Sequence, residues 1–316
     1  MSHFRDGLRE SRTVVFVNPF AGAGRAQKYL PRVRQIFEAE KIPAEFILTK
    51  SADDLESRAK SAIAGACRFL LAMGGDGTLQ GLVNAAIGSE VLLGVLPAGG
   101  GNDFSMALGL PSHPLAAARV LLNGQPRSVD LLRARTVDSR ERLYVGGGGV
   151  GLDVDASRYA AGPYRRIPGR LRYVVSAVRA WREFGPLQVR VEFPGGEHPD
   201  IEARVLLAGV LNAPTYGAGL RVAPEARLDD GWLNVTLVKT LSALQVFALV
   251  PGLLKNGTLP ATYLQQKRAR KVLLRTDRPC LFHGDGEILG PAPVEIEVVP
   301  GAVKVMAPPV CGDPAR

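Results

Sequence analysis

The chain has 316 residues, 46% of them hydrophobic and 22% charged, with a formal net charge of +9. That balance is ordinary for a globular protein and gives enough length for two domains, each with its own core. No apolar run approaches the length of a membrane span, and Met1–Arg12 mixes charges without an apolar stretch, so neither a membrane helix nor a signal peptide is expected. The three cysteines, Cys67, Cys280 and Cys311, are scattered without metal-ligand spacing. They read as small buried hydrophobes in a reducing compartment. The positive charge suits anionic partners such as nucleotide phosphates or acidic lipid headgroups, or is simply a mildly basic surface. No nucleic-acid motif accompanies it, so DNA and RNA are set aside.

The first part of the chain alternates apolar strands with helical patterns. Thr13–Val17 precedes a helix at Arg25–Glu40. Glu45–Leu48 precedes Asp53–Ala64, Arg68–Ala72 precedes Thr78–Ile87, and Val91–Leu96 precedes Leu115–Leu122. Such alternation predicts a doubly wound parallel sheet. Three of its strands run into glycine-rich loops. The first is Asn18-Pro19-Phe20-Ala21-Gly22-Ala23-Gly24-Arg25, the second Gly74-Gly75-Asp76-Gly77-Thr78, and the third Pro97-Ala98-Gly99-Gly100-Gly101-Asn102-Asp103. Glycines at a strand-to-helix turn let the backbone approach a ligand, and helix-start amides point at anions. No G-x-x-x-x-G-K-[ST] is present, and Gln27 breaks the dinucleotide fingerprint begun by Gly22 and Gly24. A carboxylate at Asp76 beside phosphates makes sense with a cation or donor between them, which suggests a nucleotide-phosphate site with Mg2+. Thr78 opens the predicted helix, where its hydroxyl can cap it, meet a phosphate, or do both. Asp76, Asp103 and Asp130 stand near strand ends and are the candidate metal network. Asp103 reads equally as a helix N-cap.

The pattern changes after Asp130. A helical stretch near Arg170–Phe184 is followed by strand-like runs at Leu187–Phe193, Ala203–Leu211, Leu233–Lys239, Lys271–Thr276, Val294–Val299 and Ala302–Met306. The expected class is therefore α/β. A parallel-sheet nucleotide domain spans residues 1–130, and a β-rich second domain, an antiparallel sheet or sandwich, spans 131–299. Within the latter, Leu241–Leu254 reads as the buried stripe of a packed helix in preference to an interfacial amphipathic helix. Basic clusters at Arg165, Arg166, Arg170 and Arg172, and at Lys267–Lys271, face either an anionic membrane or solvent. Asp285 and Glu287 flank Gly286, so both carboxylates can face a cleft, or the stretch is a plain Asp-Gly turn.

The ordered motifs carry a resemblance. Asn18-Pro19 with Gly22 and Gly24, Gly74–Thr78, and Pro97 with Gly99, Gly101, Asn102 and Asp103 resemble the diacylglycerol kinase catalytic-domain family, which includes bacterial lipid kinases, ceramide kinases and sphingosine kinases. Gly147–Gly151, Asn212 with Tyr216–Gly219, Ala223–Gly231 and Asp285-Gly286-Glu287 continue it over nearly the whole chain. Gly-Gly-Asp-Gly-Thr alone is shared with NAD kinases.

The resemblance implies an ATP-dependent lipid kinase that phosphorylates the hydroxyl of diacylglycerol or a similar lipid. The alternatives are an NAD kinase-like enzyme and a nucleotide- or lipid-binding module without turnover. Carried over, Asn18, Gly22, Gly24, Thr49, Gly74, Gly75, Asp76, Gly77, Thr78, Leu79, Gln80, Gly99, Gly100 and Asn102 would contact the nucleotide. At Gly100 the family usually has Thr or Ser, so a hydroxyl donor is missing. Asp76, Asp103 and Asp130 would serve the nucleotide-associated Mg2+. A structural metal would take the Asp230 carboxylate with backbone oxygens of Arg227 and Trp232, or the stretch is an Asp-Gly turn without a metal. Asp285, beside Glu287, would be the general base, with Asp76 its rival. The tail from about residue 300 to 316 would return to the first domain. The expected setting is cytoplasmic and peripheral to an anionic membrane, with a homodimer left open.

Overall fold

The computed structural model describes residues 11–138, 140–167, 169–217 and 219–309. Residues 1–10, Ala218, Cys311 and the tail beyond residue 309 lie outside them, and the expectations resting on those residues lie there too. The chain divides into two compact units. One runs to Val129 and takes up the chain again from Gly301, and the other is Asp130–Pro300.

In the first unit, β1 (Thr13–Val17), β2 (Ala44–Leu48), β3 (Phe69–Gly74) and β4 (Leu92–Pro97) form a parallel sheet in the order β2-β1-β3-β4. Lys304 and Val305, near the end of the last strand, extend it in parallel beside Leu92 and Leu93. The helices are α1 (Arg25–Ala39), α2 (Ala52–Ala64), α3 (Asp76–Ala86), the single-turn α4 (Asp103–Ala107) and α5 (Pro114–Leu121). Every residue of β1 and β3 is buried, as expected of parallel strands covered on both faces. From β1 the chain moves to β2 on one side, and from β3 to β4 on the other. The neighbours β1 and β3 thus form a topological switch point, where open α/β sheets place their ligand crevice at the carboxyl ends. The first and second glycine loops leave those two ends.

The second unit is antiparallel. The chain enters it within β5 (Gln125–Thr136), which pairs with β6 (Glu141–Tyr144). β7 (Gly147–Gly151) leads into α6 (Leu152–Ala161) and α7 (Gly169–Glu183), then β8 (Leu187–Glu192) and β9 (Ile201–Leu211). A two-stranded ribbon, β10 (Thr215–Tyr216) and β11 (Leu220–Arg221), precedes β12 (Leu233–Lys239) and α8 (Ala243–Asn256). The remaining strands are β13 (Leu264–Ala269), β14 (Lys271–Thr276), β15 (Leu281–Gly284), β16 (Glu287–Pro291) and β17 (Val294–Ala307). β9 is the hub. Its first half pairs with β8, its second half with β7, and β12 runs along residues 205–211. β8 shows the half-buried alternation cleanly: Leu187, Val189 and Val191 face the core while Gln188 and Arg190 face out. The core fills with Tyr144, Val150, Val210, Val235, Phe282 and Ile296. The parallel first unit and β-rich antiparallel second unit are the fold expected from the sequence.

Candidate active site

The three glycine loops of the first unit interlock at the strand ends. Asn18 N–H donates to Met73 O at 3.0 Å, tying the first loop to β3. Ala98 and Gly99 N–H both donate to Gly74 O, at 2.8 and 3.0 Å. Contact is so close that side chains are excluded. A Cβ on Gly99 would stand 2.5 Å from Gly75 Cα, and one on Gly22 would stand 2.1 Å from Ala98 O. A Cβ on Gly74 would meet Thr78 Oγ1 at 2.2 Å. Gly22 and Gly24 also sit at positive φ, 57° and 88°, with Gly24 capping α1. Thr49 closes the row: its backbone N–H and hydroxyl both donate to Val17 O, at 2.9 and 3.2 Å. The cradle is thus mostly backbone, which suits a phosphate-bearing ligand.

Asp76 takes a place the sequence did not indicate. Its Oδ2 accepts from Asp103 N–H at 3.0 Å and its Oδ1 from Phe104 N–H at 3.2 Å. The carboxylate therefore caps α4 from another loop, a charge-assisted arrangement at the positive end of a helix. Asn102, at positive φ of 64°, precedes α4, and its side chain exchanges hydrogen bonds with Gly99 at 2.9 and 3.0 Å. α3 begins at Asp76, not at Thr78 as expected. Its N-cap is Gly75, which has no side chain to signal the start. The Thr78 hydroxyl instead accepts from Asn18 Nδ2 at 3.4 Å. Leu79 and Gln80, expected among the nucleotide contacts, are 0% and 2% exposed, so their side chains belong to the interior. Gly77 lies in the first turn of α3, and Gly100 is exposed.

In the second unit, motifs far apart in sequence join in one hydrogen-bonded chain. Asp285 and Gly286, at φ of 50° and 95°, form the two-residue turn between β15 and β16. The Asp285 carboxylate folds back to accept N–H from Val145, Gly146 and Gly147 at 2.6, 2.8 and 3.2 Å. Gly146 O accepts from Asn212 N–H and Ala213 N–H, both at 2.8 Å. Asn212 Nδ2 donates to Val145 O at 3.1 Å and to Asp130 O at 2.8 Å. Asp130 Oδ2 accepts from Gly231 N–H at 2.7 Å. Of the two carboxylates expected either to face a cleft or to flank a plain Asp-Gly turn, Glu287 is exposed at the head of β16 while Asp285, in the turn, folds into the amide nest.

The metal expectations divide. Mg2+ takes oxygen donors, with one or two carboxylates sufficing beside phosphate oxygens, and Asp76 and Asp103 offer that set on two hydrogen-bonded loops. Asp130 belongs to the second unit, where it holds the Gly231 turn. Among the described residues no three His, Cys, Asp or Glu side chains gather in metal-holding geometry. The structural metal does not fit. Asp230 Oδ2 already accepts from the Arg268 guanidinium at 2.5 Å, and Oδ1 from Trp232 N–H at 3.1 Å. Arg268 and Arg270 both lie over the Trp232 ring, 5.4 and 5.1 Å from its centroid. Arg227 pairs with Asp229 at 3.7 Å. The positive charge at this turn is an arginine. EDTA should leave the melting temperature unchanged, whereas Arg268→Ala should cost about 1 kcal/mol by stranding a largely covered carboxylate. A fall of several degrees with EDTA, reversed by Mg2+, would restore the metal.

One buried polar cluster escaped sequence reasoning. The Tyr216 hydroxyl donates to Asp153 Oδ2 at 2.8 Å and lies 3.3 Å from His283 Nδ1. Having one proton, already given to Asp153, it accepts from Nδ1–H. The three residues come from β10, α6 and β15, so no local spacing announced them. Burial pushes the Asp153 carboxyl up from its ordinary 3.8, partly opposed by the His283 charge and the Tyr216 hydrogen bond. Burial, then the Asp153 charge, pushes the Tyr216 hydroxyl far up. Because the folded-state value of Asp153 is raised, its contribution to stability is intact below the unfolded carboxylate range. That contribution is lost as pH rises through the raised value. Asp153→Asn removes the titration, so the variant should gain on the wild type between pH 4 and pH 7 in denaturant melts. An equal stability difference at both pH values would mean that Asp153 does not titrate there.

Comparisons with known proteins agree with this geometry. Residues 12–134 match the diacylglycerol kinase catalytic domain, and residues 146–307 match the YegS C-terminal NAD kinase beta sandwich-like domain. The chain is 28% identical over 299 residues to a diacylglycerol kinase of Mycobacterium tuberculosis, covering 94% of this chain and 95% of that one. It is 30% identical over 270 residues to a YegS-like lipid kinase of Xanthomonas euvesicatoria pv. vesicatoria, covering 82% and 84%. A crystal structure of a diacylglycerol kinase from Bacillus anthracis shares the fold with a TM-score of 0.69 at 19% identity, covering 96% and 98%. Two domain matches in order along nearly the whole chain, with a relative at that identity, make this chain a member of the diacylglycerol kinase catalytic-domain family, among its YegS-like lipid kinases.

Proposed function

We propose that this chain transfers the γ-phosphate of ATP to a hydroxyl of diacylglycerol or a similar lipid. The observation that carries the reading is the cradle of three interlocked glycine loops at the switch point, with Asp76 clipped to the third loop. Amides at the start of α3 and along the loops would meet the phosphates, since a helix start attracts anions. Asn18, Thr49 and Asn102 line the same strand ends. Asp76 and Asp103 would hold Mg2+, which when bound neutralises charge on the nucleotide phosphates. Asp285 would accept the proton of the lipid hydroxyl while that oxygen bonds to the γ-phosphorus and ADP leaves with the electrons of the broken P–O bond. Its amide nest fixes the carboxylate direction, as a proton acceptor requires.

The test is purified protein with γ-labelled ATP, dispersed diacylglycerol, and NAD in a parallel arm. Label in phosphatidate supports the reading, and label in NADP or in neither product contradicts it. Asp76→Asn should lower kcat more than about tenfold, because phosphoryl transfer leans on metal and carboxylate charge. It should cost only about 1–2 kcal/mol of stability through the weakened α4 cap. A variant that keeps its rate would remove Asp76 from the site. Gly100→Thr, at an exposed loop position, should lower the Michaelis constant for ATP about two- to tenfold by adding one hydrogen bond. It should leave the lipid constant alone. Unchanged ATP affinity in a normally stable variant would mean that Gly100 does not touch the nucleotide.

A further inference from the structure

The helix α8 is built like a core element but lies at the surface. It is fully capped: Ser242 and Gln245 exchange a capping box at 2.8 and 3.4 Å, and Gly257 ends it at positive φ of 66°. Its 14 residues contain no Asp or Glu, and only Val246 is buried. On the opposite side Leu244, Phe247, Ala248, Pro251 and Leu254 follow helical spacing, and all are exposed. Leu244 is 83% and Phe247 70% exposed. The expected buried stripe is therefore the face turned outward, and the expectation of a packed helix is corrected. An apolar face of that kind on a capped helix marks a docking surface.

Charge selects the occupant. α8 packs on α7, where Trp181 Nε1–H donates to Leu241 O at 3.3 Å. Between them the two helices carry Arg172, Arg179, Arg182 and Lys255 against the single acid Glu183, which pairs with Arg179. Leu171 of α7 is also exposed. A second copy of the chain would meet like charge. The face is also small, about 21 Å long and roughly 10 Å wide, on the order of 200 Å². A stable dimer needs about 800 Å² per partner. No helix among the described residues is long and apolar enough to cross a membrane.

We propose that α8 lies in the plane of an anionic lipid bilayer, with Leu244, Phe247 and Leu254 inserted among the acyl chains and the arginines of α7 with Lys255 against the headgroups. The proposal deepens the lipid-kinase reading, since it brings the protein to where its substrate resides, but binding is measured apart from turnover. The experiment sediments the full chain with phosphatidylcholine vesicles and with phosphatidylcholine–phosphatidylglycerol vesicles, for the wild type and for Leu244→Gln/Phe247→Gln. Activity on a water-dispersed short-chain diacylglycerol is followed in parallel.

The wild type should bind the anionic vesicles and release at high salt. The double variant should bind at least about tenfold more weakly, as withdrawn apolar side chains cost about that much each. It should keep its melting temperature and its rate on dispersed substrate. Equal binding by variant and wild type overturns the proposal. So does a wild type that ignores anionic vesicles, or a variant whose only change is from dimer to monomer in gel filtration. Vesicle binding without phosphorylation of any lipid would sink the kinase reading and leave the surface standing.

Discussion

Everything at the candidate nucleotide site depends on two backbones touching. Gly75 and Gly99 approach so closely that a Cβ on the latter would lie 2.5 Å from the Cα of the former. Only with both loops bare of side chains can Asp76, next in the chain, reach the amides of Asp103 and Phe104. That reach starts α4 and fixes Asn102 against Gly99. The first loop enters the same contact through Gly22 beside Ala98 O and Asn18 beside Thr78. A ligand here meets amides, two carboxylate-bearing residues and few bulky side chains, which is the chemistry a polyphosphate with its cation calls for.

The second unit reaches a similar rigidity by other means. A carboxylate, an amide side chain and a second carboxylate carry hydrogen bonds from Asp285 through the 145–147 turn and Asn212 to Asp130 and Gly231. Asn212 and Asp130 are buried, and burial raises the cost of breaking any one bond. Asp285 and Asp130 are thus structural anchors in their own right, so loss of activity on their substitution needs a stability measurement beside it. Arg268 at Asp230 shows the same economy: from its place on β13 opposite Asn234, its side chain supplies a charge that a metal would otherwise bring.

What could be read in advance follows from range. Runs such as Val14–Val17 and Leu70–Met73 are apolar without break, so parallel strands covered on both faces were legible, and the glycine loops announced themselves at their ends. The fold class and the family came from those local signals. The Asp76 clip spans 27 residues, the Arg268 pair 38 and the Asp285 nest about 140, and no periodicity records such contacts. The start of α3 was misplaced because its cap is a glycine. The outward face of α8 was misread for a different reason. A helix that is apolar on nearly every side has no pattern to say which side is covered.

If the three loops form one phosphate cradle, amide hydrogen exchange under nucleotide titration will register it in all of them. ATP with Mg2+ should slow exchange together at Gly22–Arg25, at Gly75–Leu79 and at Gly99–Phe104, with one common midpoint, because the loops share their contacts. In Asp76→Asn the amides of Asp103 and Phe104 should exchange faster even without nucleotide. Protection confined to a single loop, or absent from all three while ATP is demonstrably bound, would mean that the loops do not hold the phosphates together.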